Sequence, residues 1–200
     1  MDHIPQPKVS AENSVKDQII LAADQHFRLY GYEKTSVSDI AKSIGISKAY
    51  VYKFFKSKQA IAEVICSSCL RNIEIEVEKV VALNLSATET LEGALAAIAR
   101  SSLRLFFQEQ KLYDIAAFAA AENWQSAIDY KANMLAFITS IINTGIESGE
   151  FSKQVEIEDS TEVIFLILRP YYDPQLLQYN MDKAESDVSQ ISKVILKFLS

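Results

Sequence analysis

Hydrophobic residues recur along most of this chain at intervals of three and four, the spacing that places side chains on one face of an α-helix. In the first such segment, Ile19, Ala23, Phe27 and Tyr30 form one apolar stripe, which predicts a helix over about residues 14–30 with a buried face. The same spacing continues almost to the end of the sequence. It predicts an all-α protein with further long helices of about 25 residues from position 58 and over 88–108, 111–123, 124–148, 159–172 and 183–199.

Two short helices with a glycine between them are predicted after the first helix. Ser36 is a suitable N-cap for a helix over 37–44, and Asp39 stands at the third helical position, where its carboxylate can cap the backbone in return. Gly45 permits a tight turn, and Ser47 is a suitable N-cap for a third helix from 48 to about 55. Two helices joined in this way form a helix-turn-helix motif.

The charge of the chain is unevenly distributed. The 200 residues carry a net charge of −6, but residues 1–56 carry +2 and residues 57–200 carry −8. Within 34–58 six lysines are opposed only by Asp39, which gives +5. This asymmetry predicts contact with a polyanion at the N-terminal end and a separate acidic body.

A helical projection divides the third helix into two faces. Its inward face is apolar and contains Val51, Phe54 and Phe55. Its outward face consists of two lysines, two tyrosines and one small residue: Lys48, Lys53, Tyr50, Tyr52 and Ala49. Because an α-helix fits the DNA major groove, with its N-terminal residues nearest the base edges, the outward face is a candidate DNA-reading surface.

Residues 19–65 carry a specific family resemblance. The segments "A…F…GY…TSV", "DIAKSIGIS" and "Y-x-F-F-x-S-K" resemble the DNA-binding domain of TetR-family transcriptional regulators. The resemblance implies a homodimer that reads two half-sites of a near-palindromic double-stranded operator. It also implies a C-terminal helical domain that binds a small effector and dimerises, so the chain is expected to be a ligand-responsive regulator and a repressor.

By position, the resemblance places Lys48, Ala49 and Tyr50 nearest the bases. Tyr50 departs from the family, which more often has a small residue there, so the operator sequence stays open. Phosphate contacts are expected from the start of the second helix, from the outward face of the third and from a lysine at the start of the fourth. The complete predicted DNA-binding set is Thr35, Ser36, Ser47, Lys48, Ala49, Tyr50, Tyr52, Lys53 and Lys58.

The expected organisation is a mobile tail over 1–12, a helix-turn-helix domain over 13–57 and an effector-binding and dimerisation domain over 58–200. The apolar runs are too short to span a membrane, and the N-terminus lacks the apolar core of a signal peptide. The cytoplasm is therefore the expected compartment. Motifs typical of enzymes are missing, and no cofactor is expected.

The effector is expected to be small and hydrophobic, because aromatic residues are frequent in the C-terminal body. The candidate ligand-binding residues are Cys69, Asn72, Ile73, Phe106, Phe107, Trp124, Tyr130 and Met134. Cys66 and Cys69 could form a redox pair or half of a metal site. However, they share one apolar helical stripe with Leu70, Ile73 and Val77, which favours core packing and no metal.

Two alternatives concern assembly. A seam of Val188, Ile191, Ile195 and Phe198 on the last helix, with Val163, Ile164 and Ile167, suits a four-helix bundle between two subunits. The same periodicity is also typical of a helix that packs within its own chain. For the whole chain, the alternative function is a helical protein-interaction module whose basic end binds an acidic partner.

Overall fold

A computed structural model describes the backbone of residues 9–200 and the side chains of residues 14–200. Over this range the chain is α-helical apart from its connections and a short 3-10 turn at Met181–Lys183, which confirms the predicted all-α class. The helices are α1 Val9–Tyr30, α2 Val37–Ser43, α3 Lys48–Val51, α4 Lys58–Val81, α5 Ala87–Gln108, α6 Gln110–Ala121, α7 Gln125–Ser148, α8 Ile157–Tyr172, α9 Pro174–Leu177 and α10 Ala184–Leu199.

The first helix differs from its prediction in where it begins and in the exposure of its last residue. It begins at Val9, earlier than the predicted start at about residue 14, so residues 9–12 of the expected tail are helical. Residues 1–8 of that tail lie outside the described range. Ile19, Ala23 and Phe27 are fully buried as expected, but Tyr30 is 52% exposed. Tyr30 is the last residue of the helix, where periodicity no longer dictates that a side chain meets the core.

The chain divides into two compact units, the first ending at Ile65 and the second beginning at Cys66. The division falls inside α4 and not before it, where the sequence placed a boundary at residues 57 and 58. The first two turns of α4 belong to the first unit because they bury Ile61, Ala62 and Ile65.

Within the first unit, the helix-turn-helix is built by local interactions. The Ser36 hydroxyl accepts a hydrogen bond from the Asp39 N–H, and the Asp39 carboxylate accepts one from the Ser36 N–H. Gly45 has φ +72° in the turn, a conformation that glycine adopts without strain. Ile40 and Ala41 on α2 and Val51 on α3 are buried, so both short helices direct apolar side chains inward.

The third helix is shorter than expected. Regular α-helix ends at Val51 and not near Phe55, because the N–H of Lys53 donates to the Tyr50 carbonyl three residues back and the chain tightens into turns. Val51 and Phe55 are nevertheless buried and Phe54 is half-buried, so the predicted inward face is confirmed.

The second unit is a helical bundle in which α5 contacts α6, α7, α8 and α10. Small residues such as Ala94 and Ala97 lie beside Leu91, Leu95 and Ile98 on α5, and all five are buried. A helix that is apolar over several faces is buried by its neighbours, which explains the central place of α5 within this unit. The carboxylate of Glu150 accepts hydrogen bonds from the N–H groups of Thr88 and Ala87 at the start of α5.

The later helices agree with the periodicity, with two additions. The sequence did not predict the short α9, which Asp173 caps through the Gln175 N–H. Pro170 lies within the last turn of α8, which ends two residues later at Tyr172. No helix in the described part of the chain is long and apolar enough to cross a membrane.

The predicted dimer seam on α10 is wrong in part. Val188 and Ile195 are buried in the core of their own chain, as is Ile164 on α8, which agrees with the alternative of intramolecular packing. Three other members of the predicted seam are exposed, namely Val163, Ile167 and Phe198. Leu166 on α8 and Val194 on α10 are large apolar side chains that are exposed as well.

Candidate nucleic-acid interface and ligand cavity

The outward face of α3 presents cationic, aromatic and small side chains. Lys48, Ala49, Tyr52 and Lys53 are exposed, and Tyr50 is half-buried. The Tyr50 N–H donates to the Ser47 hydroxyl at 3.1 Å, which caps the helix and fixes the position of its first turn. These residues keep the arrangement that the projection predicts, and their contacts with DNA stay predictions.

The ammonium groups of the two lysines on this face each lie over a neighbouring aromatic ring. The Lys53 Nζ lies 5.2 Å from the centre of the Tyr50 ring, and the Lys48 Nζ lies 5.8 Å from that of Tyr52. The Tyr50 ring in turn packs edge-on against Phe54, with ring centres 5.4 Å apart. Within residues 14–200, no carboxylate lies within ion-pair distance of either lysine, so both charges are available to a phosphate.

Lys58 has a different environment from the one that the sequence predicted. Its Nζ donates to the carbonyl oxygens of Tyr32 at 2.8 Å and Thr35 at 3.1 Å, and it lies 4.2 Å from the centre of the Tyr32 ring. Burial lowers the pKa of the Lys58 ammonium. Lys58 thus ties the start of α4 to the loop between α1 and α2, and we interpret it as a positioning residue instead of a direct phosphate contact.

Thr35 and Ser36 are also occupied within the first unit. The Thr35 side chain is buried, and its hydroxyl donates to the Gly31 carbonyl at 2.9 Å. The Ser36 hydroxyl and N–H both donate to the Asp39 carboxylate, at 2.6 and 3.0 Å, and these bonds lower the pKa of Asp39. Both residues therefore have hydrogen-bond partners within the chain, and their contacts with phosphate stay predictions.

The second unit contains an apolar cavity of about 250 Å³. Ile73 and Tyr130 line it, as the sequence predicted. The other lining residues come from α4 to α9 and the loops between them. They are Leu70, Ser102, Leu105, Tyr113, Ala116, Ala120, Asn123, Ala127, Ile128, Lys131, Phe165, Tyr172, Asp173 and Pro174.

The other six candidate ligand residues do not line this cavity. Cys69 and Asn72 line a separate, more polar depression of about 320 Å³ in the same unit. Phe107 is 66% exposed, while Trp124 and Met134 are buried in the packed interior. Phe106 does not line the cavity but packs edge-on against Tyr113, which does, with ring centres 4.7 Å apart.

Small residues gave a sequence signal for the cavity in addition to aromatic ones such as Tyr130. Ala116 and Ala120 are four residues apart on α6, and Ala127 is near the start of α7. Small side chains repeated on one helical face leave space between packed helices. The predicted ligand set included none of these alanines and did not include Ser102 on α5, whose side chain is buried.

The two cysteines lie in the packed interior. Cys66 and Cys69 are buried, together with Leu70, Ile73 and Val77, which confirms the predicted apolar stripe. In the described residues, no three His, Cys, Asp or Glu side chains are grouped in a way that could hold a metal ion.

Comparisons with known proteins match both units. The pattern described as "Bacterial regulatory proteins, tetR family" matches residues 19–65. The pattern described as "Tetracyclin repressor-like, C-terminal domain" matches residues 87–191, which is more than half of the chain.

Individual relatives agree with these patterns. YhgD, an uncharacterized HTH-type transcriptional regulator of Bacillus subtilis (strain 168), is 30% identical over 67% of this chain and 70% of its own length. The biofilm operon icaADBC HTH-type negative transcriptional regulator IcaR of Staphylococcus aureus (strain Newman) is 44% identical, but over only 28% of this chain and 30% of its own.

A solved structure shows the same fold. The transcriptional regulator FadR from Bacillus subtilis, in complex with stearoyl-CoA, aligns with a TM-score of 0.61 at 24% identity, over 91% of this chain and 96% of its own. The capped helix-turn-helix, the helical second unit and the matches to both family patterns lead to one conclusion. This chain belongs to the TetR family and is a transcriptional regulator, not an enzyme.

Proposed function

We propose that this regulator is a homodimeric repressor that leaves a near-palindromic operator when a small, largely apolar molecule binds its second unit. The observation that carries this proposal is the cavity of about 250 Å³ with a mainly apolar wall, found in a chain whose other unit is a helix-turn-helix. Two relatives support it. FadR has the same fold and is seen in complex with stearoyl-CoA, and IcaR, related in the DNA-binding part, is a negative regulator.

The α3 surface would read the operator. Lys48, Ala49 and Tyr50 stand in the first turn and would approach the base edges in the major groove, where a lysine can donate to guanine O6 or N7. Ser47, Tyr52 and Lys53 would contact phosphates along the rim of the groove. These phosphate contacts would supply most of the salt-dependent affinity.

The exposed apolar face of α8 and α10 would form the dimer. Leu166 on α8 and Phe198 on α10 are among five large apolar side chains on these two helices that stay exposed in the single chain. A contiguous apolar face of this kind is typical of a protein–protein interface. The two-fold symmetry of such a dimer would match the symmetry of a near-palindrome.

Release would follow from a shift of population between two dimer conformations. In the DNA-bound conformation the two recognition helices would stand about 34–36 Å apart, one turn of B-DNA. A ligand that prefers another conformation by about 1–3 kcal/mol would reduce operator affinity about 5- to 150-fold. The repressor would act in the cytoplasm, together with the DNA.

A binding selection from random duplexes tests the DNA-binding part of the proposal. Wild-type protein should enrich a near-palindrome whose half-sites are centred about ten base pairs apart. Lys48→Ala should reduce enrichment, because Lys48 stands at the start of α3. Lys193→Ala, which removes an exposed lysine from α10, should leave enrichment unchanged.

A selection in which wild type enriches no symmetric motif would contradict the operator assignment and favour the alternative of a protein-interaction module. Repression itself is measured by transcription in vitro from a promoter that carries the selected sequence. Increased transcription on addition of the protein would identify an activator and refute repression.

A further inference from the structure

Two residues that line the 250 Å³ cavity carry hydroxyl groups that are buried without a hydrogen-bond partner. Ser102 on α5 is 2% exposed and Tyr130 on α7 is 8% exposed. Neither the Ser102 Oγ nor the Tyr130 Oη has a partner among residues 14–200. A buried hydroxyl that loses its bonds to water and gains none in return costs free energy, so native structures keep few of them.

Three other polar side chains of the wall, those of Tyr113, Asp173 and Lys131, already have partners in the protein. The Tyr113 hydroxyl donates to the Pro174 carbonyl at 2.6 Å. The Asp173 carboxylate accepts from the Arg169 Nε at 3.0 Å and from a backbone N–H of α9. Lys131 is an exposed side chain that pairs with a glutamate of α8 at 3.4 Å.

The interior of the cavity therefore offers hydrogen bonds but no uncompensated positive charge. Burial raises the pKa of Tyr130, so its hydroxyl keeps its proton at neutral pH and can donate a hydrogen bond. The Ser102 hydroxyl can also donate. A carboxylate beside these two groups would lose its hydration and find no buried cation in return, whereas an uncharged oxygen acceptor would not carry that cost.

The size of the cavity restricts the ligand further. Its volume of about 250 Å³ is just below the range of about 300–1,000 Å³ that is typical of pockets for drug-sized ligands. Most of the wall is hydrocarbon, including Leu70, Ile73, Leu105 and Phe165. A compact molecule with an apolar body and one polar group matches both the volume and the wall.

We propose that the cavity binds a compact, uncharged, largely apolar carbonyl compound whose oxygen accepts hydrogen bonds from Ser102 and Tyr130. The inference rests on the proposed function, because this ligand would be the effector, and it adds the chemical class of that effector. It also distinguishes these two hydroxyls from the third buried hydroxyl without a partner, that of Ser126, which lies outside the cavity wall.

Three probes of nearly equal size and shape test the chemical class. Benzylacetone is an uncharged ketone, isopentylbenzene replaces its carbonyl by hydrocarbon, and hydrocinnamate replaces its methyl ketone by a carboxylate. Binding to the full-length protein is measured by titration calorimetry and by the rise in unfolding temperature. The ketone should bind about five- to 150-fold more tightly than the hydrocarbon, the usual effect of two neutral hydrogen bonds, and it should also bind more tightly than the carboxylate.

Variants that remove only a hydroxyl test the two residues. Tyr130→Phe and Ser102→Ala should each reduce the preference for the ketone. The double variant should bind the hydrocarbon more tightly than the ketone, because the ketone oxygen would then be buried without a donor. Because these hydroxyls have no partner in the structure, their removal should leave the ligand-free protein as stable as wild type or more stable. That result would separate a loss of binding from a loss of folding.

Two control variants are available in the same unit. Ser126→Ala also removes a buried hydroxyl without a partner, but one outside this cavity, so it should not change the preference. Tyr113→Phe removes a hydroxyl of the cavity wall that does have a partner. It should lower the stability of the ligand-free protein and keep the preference for the ketone.

Equal or tighter binding of the hydrocarbon or of the carboxylate would overturn the inference, as would the failure of all three probes to bind. A preference for the ketone that persists in the double variant would overturn the assignment to Ser102 and Tyr130. Operator release is measured separately. If the ketone binds but the protein stays on DNA, effector-induced release is refuted and the ligand class stands. If a charged compound releases the DNA with no dependence on Tyr130, effector-induced release stands and the ligand class is refuted.

Discussion

Replacing Lys58 by methionine should loosen the helix-turn-helix without removing a phosphate contact. Methionine keeps much of the apolar stem of the lysine but loses its ammonium group. Two carbonyl oxygens, of Tyr32 and Thr35, would then lose a charged donor at 2.8 and 3.1 Å. The loop between α1 and α2 would lose its connection to the start of α4.

The size of this effect follows from the contacts. A hydrogen bond to a charged group contributes roughly 1.5–3 kcal/mol, and a cation over an aromatic ring contributes roughly 0.5–1 kcal/mol when exposed. Desolvation offsets part of this sum, as the lowered pKa of Lys58 indicates. The expected net loss of local stability is about 2 kcal/mol, which corresponds to about thirtyfold faster exchange of the amide hydrogens that open with this region.

Hydrogen exchange of the full-length protein, read at the amides of α2 and α3, measures this loss. The salt dependence of binding to one fixed duplex is measured in parallel, because each phosphate contact contributes a slope of about 0.9 in a plot of log K against log salt concentration. Lys53→Met is the matched control. Lys53 is exposed and its Nζ lies over the Tyr50 ring, so its loss should leave exchange unchanged and lower the slope by about one unit.

The opposite pattern would refute the reasoning. If Lys58→Met leaves exchange at wild-type rates and lowers the salt slope by about one unit, Lys58 contacts a phosphate directly. In the complex with DNA, the Lys58 ammonium would then break its two internal hydrogen bonds and bond to a phosphate instead. If Lys58→Met changes neither the amide exchange rates nor the salt slope, Lys58 neither stabilises the helix-turn-helix nor contacts a phosphate.

Three further predictions concern the operator, the dimer and the pH dependence of folding. Tyr50→Ala should change base preference at one operator position in a binding selection, and an unchanged motif would mean that Tyr50 reads no base. Phe198→Glu should weaken dimerisation in sedimentation experiments, whereas Leu83→Glu, at an exposed apolar residue after α4, should not; equal behaviour of both would contradict an interface on α8 and α10. Backbone N–H groups at the start of α5 lower the pKa of Glu150 from 4.5 to about 2. Its stabilising contribution is therefore present above pH 4.5 and is lost as the pH falls towards 2, so Glu150→Gln should be less stable than wild type at pH 7 and equally stable near pH 2 in thermal unfolding.

The helix-turn-helix could be predicted from the sequence because neighbouring residues form it. Ser36 and Asp39 cap each other across three residues, and Gly45 adopts its conformation without help from distant groups. The inward direction of Val51 also follows from the 3.6-residue period alone. Interactions of this short range are encoded in the order of the residues.

The environment of Lys58 depends on residues distant in sequence. The Lys58 Nζ meets carbonyl oxygens 26 and 23 residues earlier, at Tyr32 and Thr35, whereas the Thr35 hydroxyl donates to the Gly31 carbonyl four residues earlier. The residue types and their positions in the family motif both predict that these cationic and hydroxyl groups bind DNA. Only the packing of the start of α4 against the loop between α1 and α2 shows that the Lys58 ammonium already has partners.

Helical periodicity likewise cannot distinguish one apolar partner from another. It shows that Val188 and Ile195 need a partner, but a helix of the same chain and a helix of a second subunit satisfy an apolar stripe equally well. The ligand cavity is a similar case, because it exists where small residues of several helices meet and two hydroxyls find no partner. The order of the residues thus determined the helices, their caps and the cationic face of α3, which are local properties. The long-range packing of the helices decided which side chains remain available to DNA, to a ligand and to a second subunit.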